Sequence, residues 1–197
     1  MEVRRDRYLS SLVDRMHHGM IKVITGIRRC GKTYLLFELF GGYLRGGLGI
    51  DDDHIIEVAL DEEANKGLRD PGALDAYLRS RIADKASQYY VMLDEVQYAI
   101  SDGELRGDEP PRLYGVLNGL LRMRNVDVYV TGGNSKLLST DVMTQFRGRG
   151  DEVRVRPLDL CQDFGHGSSR IYAAMGSSPA VGLVRSKKAS IAWAGIW

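Results

Sequence analysis

Two apolar spacings alternate along this chain: short unbroken runs, and longer stretches with a beat of three to four residues. Tyr8, Leu9, Leu12, Val13 and Met16 share one helical face over residues 8–16, and Gly19 ends that helix. Ile21-Lys22-Val23-Ile24-Thr25 is a β-branched run and predicts the first strand. After a glycine-containing turn, Leu35, Leu36, Leu39, Phe40, Tyr43 and Leu44 line up as one face of a second helix. Gly41-Gly42 and Gly46-Gly47-Leu48-Gly49 mark its fraying into a loop. Residues 54–60 read as strand two, and Asp70-Pro71 opens a helix carrying Leu74, Tyr77, Leu78 and Ile82.

Residues 89–93 are apolar without a break, the pattern of a strand buried on both faces. A polar loop over residues 101–111 leads to Leu113, Val116, Leu117, Leu120 and Leu121 at helical spacing. Residues 126–131 form strand four, and 153–155 a short fifth. Strands alternating with helices of this length predict an α/β fold with a parallel sheet covered on both faces.

Composition changes this picture little. At 197 residues the chain fits one such domain, with the opening of a second. Hydrophobic residues at 44% and charged residues at 27% are ordinary for a soluble protein. A net charge of +1 gives no global argument for nucleic acid or an anionic membrane. Cys30 and Cys161 make no disulfide framework, Arg4-Arg5-Asp6-Arg7 lacks the apolar core of a signal peptide, and no uncharged stretch approaches a membrane span of ~20 residues. A cytoplasmic protein is expected. From Phe164 onward acidic residues cease and glycine, serine and alanine become dense, ending at Trp193 to Trp197. That tail is either the start of something larger or a short helix packing on the core.

The chemistry lies at the strand ends. Gly26-Ile27-Arg28-Arg29-Cys30-Gly31-Lys32-Thr33 meets the phosphate-loop pattern GxxxxGK[ST] in every fixed position, directly after a strand and opening a helix. Glycines let the backbone wrap around phosphates with its N–H groups pointing inward. The helix start adds its positive end, with Tyr34 in the first turn. Lys32 is expected to reach the β- and γ-phosphates of ATP from a solvent-facing position, and the Thr33 hydroxyl to take one Mg2+ position. Cys30 is expected to fill space within the loop, the alternative being a thiol made reactive by the helix N-terminus.

Asp94-Glu95 ends the most apolar strand, where an acidic pair is costly without a cation or proton to handle. Asp94 is expected to hold the magnesium through water, and Glu95 to polarise the attacking water. Strand four ends in Thr131-Gly132-Gly133-Asn134-Ser135. Asn134 either holds the attacking water or a γ-phosphate oxygen, or caps the helix that follows. Arg147-Gly148-Arg149 precedes strand five, and Arg149 is either an arginine finger acting on a neighbour's nucleotide or a solvated loop charge. His17-His18 lacks partners at metal spacing and reads as surface.

Taken together, these motifs resemble a family of prokaryotic AAA+-like ATPases with a "GIRRCGKS" loop, an "LDEIQ" Walker B strand and a "TGSNS" sensor strand. The last two correspond here to Leu93-Asp94-Glu95-Val96-Gln97 and Thr131-Gly132-Gly133-Asn134-Ser135. The family's "SGR…PLS" segment is similar to Arg147-Gly148-Arg149 with Val155-Arg156-Pro157-Leu158, and Arg7-Tyr8-Leu9 matches its usual start. The resemblance covers residues 4–164 and implies a three-layer P-loop sandwich with parallel strand order 5-1-4-3-2. Gly133 departs from the family's serine, and Arg147 from its small residue before the Gly-Arg pair. Family members also run far longer, so residues 165–197 are expected to be a truncated or degraded start of a C-terminal region beyond an ATPase domain of 1–164. The expected function is Mg2+-dependent ATP hydrolysis driving a change in an attached domain or an unidentified protein partner, with self-association bringing Arg149 to a neighbouring site. The alternative is a nucleotide-dependent binding switch that scarcely turns over. A small-molecule kinase fits less well, because the contiguous acidic pair suits water activation better than an acceptor lid.

Overall fold

The strand that leads into the phosphate loop, β1 (Ile21–Thr25), is buried along its whole length because the sheet continues on both sides of it. The structure, a computed structural model, describes residues 5–106, 109–132 and 150–157. Five parallel strands lie in the order β2-β3-β4-β1-β5, with β2 at Ile55–Ala59, β3 at Tyr89–Asp94, β4 at Val126–Thr131 and β5 at Gly150–Arg154. The expected order therefore holds, and β4 separates the loop strand from the acidic strand. Val23 is level with Val130, Ile24 with Thr131, and Leu93 with Val130. These registers bring the C-terminal ends of β1, β3 and β4 to one edge.

Alternation along the strands divides the core between two faces. Val23, Val91, Leu93, Val128 and Val130 pack under Leu74 and Leu78 of α2 (Pro71–Arg81) and Leu113, Leu117 and Leu120 of α4 (Arg112–Leu121). On the other face, Ile24, Met92 and Tyr129 meet Leu12 of α1 (Asp6–Val13) and Leu35, Leu36, Phe40 and Leu44. The result is a three-layer α/β sandwich.

Several boundaries differ from the sequence pattern, each for a local reason. β5 starts at Gly150 rather than Val153, since pairing with β1 from Ile21↔Gly150 to Thr25↔Arg154 defines it, whereas its own residues are mostly polar. The helix after the loop is wound as π-helix over Tyr34–Phe40 and Tyr43–Gly47. Leu35, Phe40 and Leu44 recur at spacings of five and four, which wider i→i+5 turns bring to one buried face. The polar loop contains α3 (Asp102–Arg106), started by a reciprocal cap. Ser101 N–H donates to Glu104 Oε2 at 2.7 Å, and Glu104 N–H donates to Ser101 Oγ at 3.3 Å. α2 begins as expected, with Asp70 accepting from Ala73 N–H at 3.0 Å and Pro71 in the first turn.

One charged cluster lies inside the sheet on its N-terminal half. The Lys22 ammonium on β1 pairs with Asp127 on β4, and both are buried. Asp127 Oδ2 also accepts from Tyr129 Oη at 2.8 Å and from the His17 backbone N–H at 3.0 Å. Lys22 lies 5.2 Å from the centre of the Tyr129 ring.

Candidate functional site

The loop between β1 and the following helix is shaped by backbone conformations that few residues tolerate. Gly26 has φ +154°, and a Cβ there would lie 2.4 Å from Val155 O and 2.7 Å from Cys30 Sγ, so this position admits glycine alone. Cys30 is buried against it. Arg29 takes a left-handed φ of 64°, and Gly31 one of 83°. Ile27, Arg28 and Arg29 face outward, Ile27 with 63% of its surface exposed, and Tyr34 is half-buried at the start of the helix.

Lys32 departs from expectation. It is only 3% exposed, rather than solvent-facing, because its ammonium folds back onto the loop. Nζ lies 3.4 Å from Gly26 O, 3.5 Å from Ile27 O and 3.9 Å from Glu95 Oε1. A cation held against carbonyls in this way is partly desolvated before any anion arrives.

Across the gap, Asp94 ends β3 fully enclosed. Its Oδ2 accepts from Thr33 Oγ1 at 2.6 Å, and its Oδ1 accepts from the Thr131 hydroxyl at the end of β4. Burial pushes the Asp94 carboxyl above the usual carboxylate range; the two hydroxyls oppose this, while the Glu95 and Asp61 charges add to it. Among the described residues no lysine or arginine lies within ion-pair distance of Asp94. An enclosed carboxylate facing a threonine hydroxyl, with no protein cation on it, is a hard-oxygen donor set that suits Mg2+.

Glu95 follows in a left-handed conformation, φ 53° and ψ 50°, unusual for a residue with a side chain. Its N–H donates to Thr131 Oγ1 at 3.1 Å, and its carboxylate accepts from the Gln97 side-chain amide.

The structure thus brings Lys32, Thr33, Asp94 and Glu95 together at the C-terminal edge of β1 and β3, beside the loop residues Gly26 to Gly31. Asn134 and Arg149, together with Gly133, Ser135 and Arg147, lie outside the described residues. Sequence reasoning passed over three further neighbours. Thr131 was read only as the end of a strand. Gln97 was noted only as the last letter of a motif. Arg5 belongs to a polar start, yet it is 4% exposed, and a Cβ on Gly31 would lie 3.5 Å from its Nη1. That nitrogen finds no hydrogen-bond partner among the described residues, while Nη2 donates to Arg156 O at 3.4 Å. Among the described residues, no helix is long and apolar enough to cross a membrane.

Comparison with known proteins places this geometry in context. Residues 18–162 match the sequence profile of a family described as "AAA domain". An uncharacterized protein of Haemophilus influenzae is 27% identical over 158 residues, 80% of this chain and 36% of that protein. An uncharacterized protein of Methanocaldococcus jannaschii is 29% identical over 143 residues, 71% of this chain and 27% of that protein. The chain therefore spans well under half the length of either relative. Among solved structures, C. elegans PCH-2 aligns with a TM-score of 0.52 at 17% identity, over 78% of this chain and 43% of that one. AMPPCP-bound DnaA from Aquifex aeolicus gives 0.50 at 16% identity, over 83% and 48%. At such identities the likeness is one of fold.

Proposed function

The chain belongs to the AAA domain family of nucleotide-binding, ATPase-like proteins, and from that premise we propose that it binds ATP with Mg2+ and hydrolyses it to drive a change in an attached domain or a protein partner. The observation that carries this reading is the 2.6 Å contact between Thr33 Oγ1 and Asp94 Oδ2. It joins the phosphate loop to the acidic strand across the width of β4.

In this reading the N–H groups of residues 26–33 and the Lys32 ammonium bind the triphosphate. Thr33 and Asp94 would hold Mg2+, which when bound would supply positive charge against the phosphate oxygens. Glu95 accepts a proton from the attacking water on the carboxylate oxygen that Gln97 does not occupy. Asn134 is proposed to orient that water or a γ-phosphate oxygen. Arg149 is proposed to act on the nucleotide of a neighbouring copy, making the isolated chain a slow ATPase whose specific activity rises with concentration. Residues 165–197 would begin a C-terminal region beyond an ATPase domain of 1–164, and the cytoplasm is the proposed location.

One observation favours a second reading, a nucleotide-dependent switch with little turnover: the Glu95 carboxylate is engaged by Gln97 and lies 3.9 Å from Lys32 Nζ. Phosphate release with ATP and Mg2+, compared between the wild-type chain and Glu95→Gln, separates the two. Release that falls in the variant supports hydrolysis at this site. Saturable ATP binding with no release in either supports the switch.

A further inference from the structure

We propose that Thr131 is a positioning residue, whose hydroxyl holds the Walker B pair in its working geometry by binding both members at once. Only the kinetic arm of this proposal rests on the ATPase reading above.

The argument starts from topology. Because β4 lies between β1 and β3, the loop strand and the acidic strand share no backbone hydrogen bonds. Whatever aligns Asp94 with Thr33 must span β4. Thr131 is the last residue of that strand, level with Ile24 of β1 and one step beyond the Leu93↔Val130 pair. It is 0% exposed, so no water competes for its hydroxyl. The hydroxyl donates to Asp94 Oδ1 and accepts from Glu95 N–H at 3.1 Å, using both its capacities within the site.

The second half of the argument is backbone strain. A left-handed residue with a side chain persists only where its surroundings over-determine it. Both backbone polar groups of Glu95 are pinned: its carbonyl accepts from Tyr98 N–H at 3.1 Å, and its N–H is taken by Thr131. The first bond is local to the turn after β3. The second alone comes from another strand, and so fixes the direction in which Glu95 leaves the sheet.

Thr131→Val keeps shape and removes the hydroxyl, whereas Thr131→Ser keeps the hydroxyl and removes a methyl group. In the full chain, Thr131→Val should lower kcat for ATP roughly 10–100-fold with KM changed less than about threefold, since misalignment acts on the reacting geometry rather than on ground-state binding. Thr131→Ser should recover kcat to within about threefold of wild type. A readout independent of turnover is amide hydrogen exchange at Glu95, which should quicken at least about tenfold in Thr131→Val while Met92 and Leu93 stay protected. Wild-type kcat in Thr131→Val, equal impairment in Thr131→Ser, or unchanged Glu95 exchange would each overturn the assignment. If wild type binds ATP without releasing phosphate, the ATPase reading falls, and the exchange experiment alone decides the role of Thr131.

Discussion

Two clusters of buried charge lie at opposite ends of the central strands and end in opposite conditions. On the N-terminal half, the Lys22 ammonium sits on Asp127, whose carboxylate also takes the Tyr129 hydroxyl and the His17 N–H. Charge is balanced and the acceptors are filled, so the cluster has nothing left to offer a ligand. Burial, then the adjacent Asp127 carboxylate, push the Tyr129 hydroxyl far up, and it serves only as a donor. At the C-terminal edge, Asp94 is equally enclosed but receives hydroxyls where Asp127 receives a cation. The comparison teaches that burial of an acid is uninformative until its donors are known. A paired acid belongs to the fold, whereas one held only by neutral donors keeps its charge uncompensated, which is why Asp94 and not Asp127 is the one proposed to receive a cation.

The largest expected effect tests the upper cluster. Glu95→Gln should bind ATP as wild type does while phosphate release falls about 10²–10⁴-fold, read by coupled phosphate assay and calorimetry. Equal release would remove Glu95 from the chemistry. The lower cluster should respond in the opposite currency. Asp127→Asn strands the Lys22 charge and should cost about 3–5 kcal/mol in urea unfolding, with ATP affinity of the folded protein within about twofold. Replacing both partners, Lys22→Met with Asp127→Leu, should recover most of that loss. If the double variant is no better than the single, the pair is not the closed unit described.

A smaller effect addresses Lys32, which resembles the lower cluster in burial and the upper in location. Lys32→Ala should weaken ATP binding about 10–150-fold, the worth of a charge-assisted bond, while thermal stability holds. A collapse in Tm with unchanged ATP affinity would move Lys32 to the structural side. The smallest effect lies away from both clusters, at the α2 cap. Asp70→Ala should lower Tm by a few degrees and leave phosphate release alone. The Ala73 N–H holds the Asp70 carboxyl below its ordinary value of 3.8. A depressed pKa means that the cap's contribution is full above the ordinary value and fades as pH falls through the lowered one. The two proteins should therefore converge in Tm in strong acid.

Where the sequence read true, the physics was local. β1 and β4 fall at Ile21–Thr25 and Val126–Thr131, as their largely apolar runs indicated, because strands buried on both faces read as near-continuous apolar segments. The loop and the acidic pair stood out because they match a pattern of residue types at fixed spacing, and the structure brings them into contact through Thr33 and Asp94. Where it failed, the cause was distance. Lys22 and Asp127 are single charges inside apolar runs, and neither declares its partner more than a hundred residues away. β5 carries little apolar signal of its own, being defined by β1. The burial of Lys32 follows from carbonyls in a loop whose path no pattern encodes. The cap at Ser101 and Glu104 is different: Ser-x-x-Glu stands in plain view, and was passed over because the surrounding residues looked polar.

The place of β1 within the sheet carries a consequence for the order in which the chain can assemble as it is made. β2 finds β3, and β3 finds β4, across moderate separations, Ile55↔Tyr90 and Tyr89↔Val126. β1 emerges before all of them, yet its neighbours are among the last to appear, Lys22↔Tyr129 on one side and Ile21↔Gly150 on the other. A growing chain therefore carries the whole phosphate loop and both acids long before the strand beneath the loop has either flank. Closing those long loops is an entropic debt met only when residues 150–154 leave the ribosome. Before residues 126–131 emerge β1 has no partner, and until β5 arrives it is an open edge, the kind of segment prone to misassembly. The loop therefore gains its full footing only when the fifth strand arrives.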